Sequence, residues 1–262
     1  MSLPRSLYVP ALVGLSLLVL PIVGLISRVD PDTFWSDLTS PGALAALRLS
    51  LVTGACATIV CLVLGVPLAI VIARAPRRAA AIVRTLVLVP LVLPPMVGGL
   101  ALLALAGRSG LLGRPLFEIS GFSLPYTTAA VVIAQAFVAM PFLVIAVEGT
   151  LRTSGTSHEQ VAAGLGAGRW RVLTRITLPL CLPGVAAGTV LCFARALGEF
   201  GATALFAGNA PGVTQTMPLA IYTAFNGVGV TQDSALAMAV LLLASAAVIV
   251  AGLRTWREDP VR

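Results

Sequence analysis

The stretch Glu159-Gln160-Val161-Ala162-Ala163-Gly164-Leu165-Gly166-Ala167-Gly168-Arg169-Trp170-Arg171-Val172-Leu173-Thr174-Arg175-Ile176-Thr177-Leu178-Pro179 changes character twice. It opens as a short helix of small residues, turns basic around a single tryptophan, and ends on a proline at the head of an apolar run. Small side chains let another protein surface approach the helix backbone closely, and Arg with Trp suits a lipid interface or a groove on a partner. On both sides the chain is uncharged for a long way, from Tyr126 to Val147 before the loop and from Ile176 to Ala194 after it. A charged island between two such runs predicts a loop in water whose flanks cross a membrane.

Further out, the uncharged runs Leu7 to Ser27, Leu49 to Ala73, Thr85 to Gly107 and Ser234 to Leu253 complete a set of six. At about 1.5 Å per residue, each covers a hydrocarbon core of about 30 Å as a helix. The whole composition agrees: 58% of the 262 residues are hydrophobic and 10% charged, against roughly 45–50% and about 25% in soluble domains. The expected fold is therefore an all-α integral membrane protein, a single domain over 1–262. Its six transmembrane helices are expected near 7–27, 49–73, 85–107, 126–147, 176–199 and 234–253, with a cytoplasmic loop over 148–175. The first run ends in Ser27-Arg28-Val29-Asp30 without a small-x-small cleavage site, so it reads as a retained helix. About nine residues follow the last run, and no separate cytoplasmic domain is expected. Between Phe200 and Asp233, Gly208-Asn209-Ala210-Pro211-Gly212, Gly227 and Gly229 break any continuous span, so a short interfacial or re-entrant helix is expected over Met217–Phe225 on the outer side.

The 17 basic residues are all arginine. Twelve lie on the side of the termini and the 148–175 loop, and Arg28, Arg48, Arg108 and Arg114 lie on the other. Cytoplasmic loops of membrane proteins concentrate positive charge, so both termini are expected in the cytoplasm. The net charge of +7 thus has a membrane explanation and implies no nucleic acid.

The residue inventory also excludes chemistry. Without lysine there is no nucleotide-binding P-loop. Cys56, Cys61, Cys181 and Cys192 sit in apolar runs without C-x-x-C spacing and read as buried small hydrophobes rather than a disulfide framework or zinc site. His158 is the only histidine and reads as a solvated cap, so no multi-histidine metal site can be assembled. No G-x-S-x-G, H-E-x-x-H or pair of intramembrane carboxylates is present, which leaves an intramembrane enzyme as a remote alternative and implies no cofactor.

With these residues in view, the loop resembles the EAA motif of permease subunits of bacterial ABC importers: Glu-Ala-Ala, three residues, Gly, nine residues, then Ile-x-Leu-Pro. Gly166 is followed by nine residues and Ile176-Thr177-Leu178-Pro179, so the second half fits fully. In the first half Gln160 and Val161 take the Glu and first Ala slots, Ala162 fits, and Glu159 lies one place early. The resemblance implies a type I importer permease fold in the bacterial inner (plasma) membrane. It implies that Glu159, Gln160, Val161, Ala162, Ala163, Gly164, Leu165, Gly166, Ala167, Arg169, Leu178 and Pro179 couple the chain to a cytoplasmic ABC ATPase dimer. It further implies a homodimer of the subunit, an extracytoplasmic substrate-binding protein, and alternation between inward- and outward-facing states.

Three further stretches are similar to the molybdate and sulfate branch of these permeases: Leu88 to Gly99 with Pro90, Pro94 and Pro95; Phe193 to Thr203 with Arg195 and Glu199; and Phe206-Ala207-Gly208-Asn209 with Thr216-Met217-Pro218-Leu219. The run Gly198-Glu199-Phe200-Gly201-Ala202-Thr203 resembles molybdate more than sulfate permeases, which implies an oxyanion cargo, molybdate first, with tungstate, sulfate or thiosulfate as alternatives. Pro94, Pro95, Gly98, Arg195, Glu199, Thr203 and Asn209 are the corresponding pathway candidates. Physically, the prolines and Gly98 predict irregular backbone, against either a cavity or a neighbouring helix. Arg195 and Glu199 are four apart on one helix face, and either pair with each other or leave Arg195 to steer an anion.

Overall fold

The computed structural model describes residues 5–227 and 232–257. The described elements are all helical: α1 (Tyr8–Ser27), α2 (Pro31–Leu38), α3 (Pro41–Arg74), α4 (Arg77–Val92), α5 (Pro95–Ala106), α6 (Gly113–Ser120), α7 (Thr128–Ser154), α8 (Ser157–Gly164), α9 (Arg169–Val172), α10 (Leu178–Leu197), α11 (Gly201–Phe206), α12 (Met217–Phe225) and α13 (Gln232–Arg257). A π-turn over Leu173–Thr177 joins α9 to α10 without interruption, so one helix runs from Arg169 to Leu197. It thus begins seven residues ahead of the expected span at 176.

The centre of the molecule is α3, α7 and α10. Ser40 caps α3 by accepting from the Ala43 amide at 3.3 Å, with Pro41 at the first helical position. The buried stripe of α3 is Ala43, Ala46, Ser50, Thr53, Ala57, Cys61, Gly65, Ala69 and Ile72, a three-to-four spacing of mostly small residues that lets two helices approach closely. Thr127 caps α7 in the same way at 3.2 Å from the Ala130 amide. Along α10, Gly184 and Gly188 form a small-x-x-x-small face: a Cβ at Gly188 would lie 2.8 Å from Leu143 Cδ1, and one at Gly184 would collide with Thr150. Bare backbone at these two positions is what seats α10 on α7. Cys61, Cys181 and Cys192 are buried as expected of small hydrophobes, whereas Cys56 is exposed on the outward face of α3; all four are free thiols.

Among the described residues, four helices are long and apolar enough to cross a membrane: α1, α3, α7 and the Arg169–Leu197 helix. The expected single span over 85–107 is instead two helices, α4 and α5, bent by 114° at Leu93–Pro94, and the pair makes a fifth candidate. The physical reason is Pro94 and Pro95, which hold Leu93 and Pro94 in extended backbone and restart the helix in a new direction. In α13 the described apolar stretch is Gln232–Val248. Gly229 and Arg262, used above for the outer break and the charge asymmetry, lie outside the described residues. Every side chain of α1 is exposed or nearly so, and among the described residues of the bundle it meets chiefly α13.

The segment after α10 folds back on the bundle: α11 crosses α5 and α7, and α12 lies against α3 and α13. The expected short helix over Met217–Phe225 is α12, and its first amide, Met217 N–H, donates to Ser50 Oγ of α3 at 2.7 Å.

Candidate functional site

At one end of the bundle, α8 is held against the helix ends by a single carboxylate. Glu159 accepts from Arg74 Nε at 2.9 Å and Arg74 Nη2 at 2.8 Å, and from Thr177 Oγ1 at 2.7 Å; Arg74 Nη2 also donates to the Gly155 carbonyl at 3.3 Å. Arg74 is the last residue of α3 and Thr177 the last of the π-turn, so Glu159 ties α8 to both. Partial burial pushes the Glu159 carboxyl up, but the Arg74 guanidinium and the Thr177 hydroxyl outweigh it and hold it below the usual carboxylate range. A second ionic knot ties α4 to α7: Glu148, buried on α7, accepts from Arg84 of α4 and from Arg152 Nε at 2.9 Å. Neither Arg74, Thr177, Glu148 nor Arg84 was among the expected site residues; the Glu148–Arg152 spacing of four was the one readable signal.

The other loop residues fall into two groups. Val161, Ala162, Leu165, Ile176, Pro179 and Leu180 line a largely apolar cleft of about 600 Å³, with His158 exposed at its edge. Val161 and Leu165 are exposed, 64% and 83%, on a helix whose other face is clamped. Gln160 donates back to Thr156 Oγ1 at 3.2 Å, Ala163, Gly164 and Arg169 are exposed, Ala167 is half-buried, and Leu178 projects outward from the start of α10. Gly166 terminates α8 with φ +83° and has open space around its Cα, so its backbone rather than its surroundings requires glycine.

The pathway candidates sit at the opposite end of α10 and do not converge on one cavity. Glu199 is 1% exposed; one carboxylate oxygen accepts from Arg195 Nη1 at 2.9 Å and the other from the Ala202 amide at 2.8 Å. The carboxylate thereby caps α11 and fixes the turn Gly198-Glu199-Phe200, and Arg195 is committed to it. Pro95 packs on Gly201, where a Cβ would lie 2.8 Å from Pro95 Cβ, and a Cβ at Gly98 would lie 3.2 Å from the Phe137 ring. Kinked packing of α5 on α11 and α7 thus accounts for Pro94, Pro95 and Gly98. Asn209 is exposed and donates to Thr223 Oγ1 at 2.9 Å. Thr203 is fully buried with no partner for its hydroxyl, as are Thr216 and, on α7, both polar atoms of Gln135.

Residues 65–260 match the family of the binding-protein-dependent transport system inner membrane component. This chain belongs to that family. Among curated members, it is 51% identical over 253 residues to the molybdenum transport system permease protein ModB of Mycobacterium tuberculosis (strain ATCC 25618 / H37Rv), covering 96% of this chain and 94% of the relative. It is 43% identical over 186 residues to ModB of Escherichia coli (strain K12), covering 71% and 81%. The fold is that of ABC transporter membrane subunits. A bacterial ABC transporter involved in the import of the acidic polysaccharide alginate superposes with TM-score 0.76 at 18% identity, covering 98% of this chain and 95% of that one. The MetNI methionine ABC transporter in an inward-facing conformation gives 0.62 at 18% identity, covering 89% and 100%. As a binding-protein-dependent inner membrane component, the chain is a multi-pass permease subunit of an ABC importer and not an enzyme; ATP hydrolysis belongs to a separate subunit.

Proposed function

We propose that this permease moves molybdate into the cell, as a homodimer whose loop over 148–175 engages two cytoplasmic ATPases while an extracytoplasmic binding protein delivers the anion. The similarity to molybdenum permeases, over 96% of the chain for the mycobacterial relative and 71% for that of Escherichia coli, carries the cargo assignment. What supports the coupling role is the clamp at Glu159: an exposed apolar helix face, α8, is bound rigidly to the ends of α3 and α10. ATP binding draws the two ATPases together, each α8 follows its cleft, and the displacement enters the bundle through Arg74 and Thr177. The transport cycle is a two-state equilibrium that ATP biases by binding one state more tightly.

In this reading both termini lie in the cytoplasm, and six crossings comprise α1, α3, the bent α4–α5 pair, α7, the Arg169–Leu197 helix and α13. Near the outer end the buried, unpaired hydroxyls of Thr203 and Thr216 are neutral donors of the kind that suits a path that must release its anion. Arg195, neutralised by Glu199, leaves no strong cationic trap there.

Labelled molybdate uptake tests the assignment in cells with and without this chain, in excess sulfate and then excess tungstate. Uptake that needs the chain, survives sulfate and is blocked by tungstate is the expected result. Abolition by sulfate moves the cargo to the sulfate class, and uptake indifferent to the chain overturns the oxyanion reading.

A further inference from the structure

Arg169, Arg171 and Arg175 surround a second depression of about 600 Å³, together with Gly166, Gly168 and Thr174, and Arg175 stands in the wall between it and the apolar cleft. No carboxylate among the described residues pairs with any of the three, in contrast to Arg74, Arg84, Arg114, Arg152 and Arg195. Trp170, in the same wall, is 75% exposed.

The position along the helix is as informative as the charge. Arg171 and Arg175 stand on the continuous Arg169–Leu197 helix, and further along it the exposed leucines are Leu178, Leu182 and Leu191. From Arg175 to Leu182 is about 10 Å of helix rise. Exposed leucines on a membrane span belong against acyl chains, so the two guanidinium groups stand at the depth of the phosphates of that leaflet. Tryptophan favours the same depth, its ring in the apolar region and its N–H toward water. Guanidinium groups bind phosphate oxygens through paired N–H donors.

We propose that Arg171 and Arg175, with Thr174 and Trp170, bind the phosphate of an anionic phospholipid in the cytoplasmic leaflet. The inference rests on the orientation proposed above. A lipid phosphate and a free inorganic anion share this chemistry, and the lipid is favoured because the helix carries the cluster directly into exposed leucines. A soluble ATPase is better matched to the neighbouring apolar cleft on α8. Lipid held here braces the start of the same helix that receives Thr177 and the Glu159 clamp.

The test uses the purified permease–ATPase complex and native mass spectrometry of retained phosphatidylglycerol against phosphatidylcholine, with inorganic phosphate as competitor. Each arginine near an anionic surface contributes enough that the double variant R171Q/R175Q is expected to retain phosphatidylglycerol about thirtyfold more weakly. The variant R171K/R175K, which keeps the charge but not the paired donors, is expected to retain an intermediate amount and controls for folding. Retention by R171Q/R175Q equal to the parent overturns the proposal. So does ready displacement of the lipid by inorganic phosphate, which marks a soluble-anion site. Loss of ATPase association with unchanged lipid retention overturns it too, in favour of a protein contact. No cargo enters this assay, so its outcome is separate from the molybdate assignment.

Discussion

Arg74 grips Glu159 with two nitrogens, Nε at 2.9 Å and Nη2 at 2.8 Å, across 85 positions of sequence. The pair is mostly shielded, with side chains 23% and 16% exposed, and hydrogen bonds to charged groups at such sites contribute about 1.5–3 kcal/mol. Arg74→Ala and Glu159→Ala are each expected to lower thermal stability by an amount in that range and to weaken substrate-stimulated ATP hydrolysis by the assembled importer. The exchange R74E/E159R is expected to recover much of both losses. A double exchange no better than the single variants assigns the losses to something other than the pair.

The same carboxylate predicts a pH dependence. Its folded value is depressed below the ordinary 4.5, so its contribution is fully present above that value and is lost as pH falls through the depressed one. Melting curves of the parent and Glu159→Gln in detergent should differ by a constant amount from neutral pH down to about 4.5 and converge below it. A gap that stays open at the lowest pH attainable argues that the carboxylate charge is not what Glu159 contributes.

Gly166 has φ +83° with no atom near its Cα direction, so substitutions separate backbone strain from bulk. Asparagine, which tolerates this conformation, should be mildest; alanine should cost about 1–2 kcal/mol; tryptophan should add steric exclusion of the ATPase and abolish coupling while membrane insertion persists. ATP hydrolysis stimulated by substrate, set beside membrane yield, ranks the three. Normal stimulated hydrolysis in Gly166→Trp removes α8 from the coupling interface.

Glu199→Ala leaves both Arg195 and the Ala202 amide unpaired in a buried turn, a loss of about 3–5 kcal/mol. Arg195→Ala strands the buried carboxylate and should be comparably destabilising. Uptake is expected to fall in parallel with stability in both. An Arg195 variant that keeps its stability yet loses uptake would transfer Arg195 from structure to anion contact.

Gly188→Leu drives a side chain into Leu143 at the α7–α10 contact, and overpacking of this kind costs about 1–3 kcal/mol. The melting temperature of the purified subunit checks it. An unchanged value shows that the two helices separate there without penalty.

Much of this arrangement was legible in the chain. Four of the apolar runs marked helices long and apolar enough to span, the run over 85–107 marked the bent pair, the four-residue spacing of Arg195 and Glu199 marked their pair, and the glycine- and proline-bounded Met217–Phe225 marked α12. Glu159 was visible only as a motif residue one place early, because its meaning lies in Arg74, which from sequence alone was one more positive charge counted for topology. The 114° bend was foreshadowed by its prolines, yet its size depends on where α5 meets Gly201. Gly184 and Gly188 carried a readable spacing whose consequence, the seating of α10 on α7, needs the partner helix.

The bend at Leu93–Pro94 also bears on how such a chain survives in oil. A break in a helix ordinarily strands amide protons, each costly where no water can reach. Here Pro94 and Pro95 have no amide proton, the Leu93 amide still reaches the Val89 carbonyl at 3.0 Å, and the Val97 and Gly98 amides share the Pro94 carbonyl at 2.8 and 3.2 Å. The two prolines that force the chain to turn have thereby removed two of the donors the turn would have orphaned, and alanines in their place would leave two more amides for solvent to satisfy.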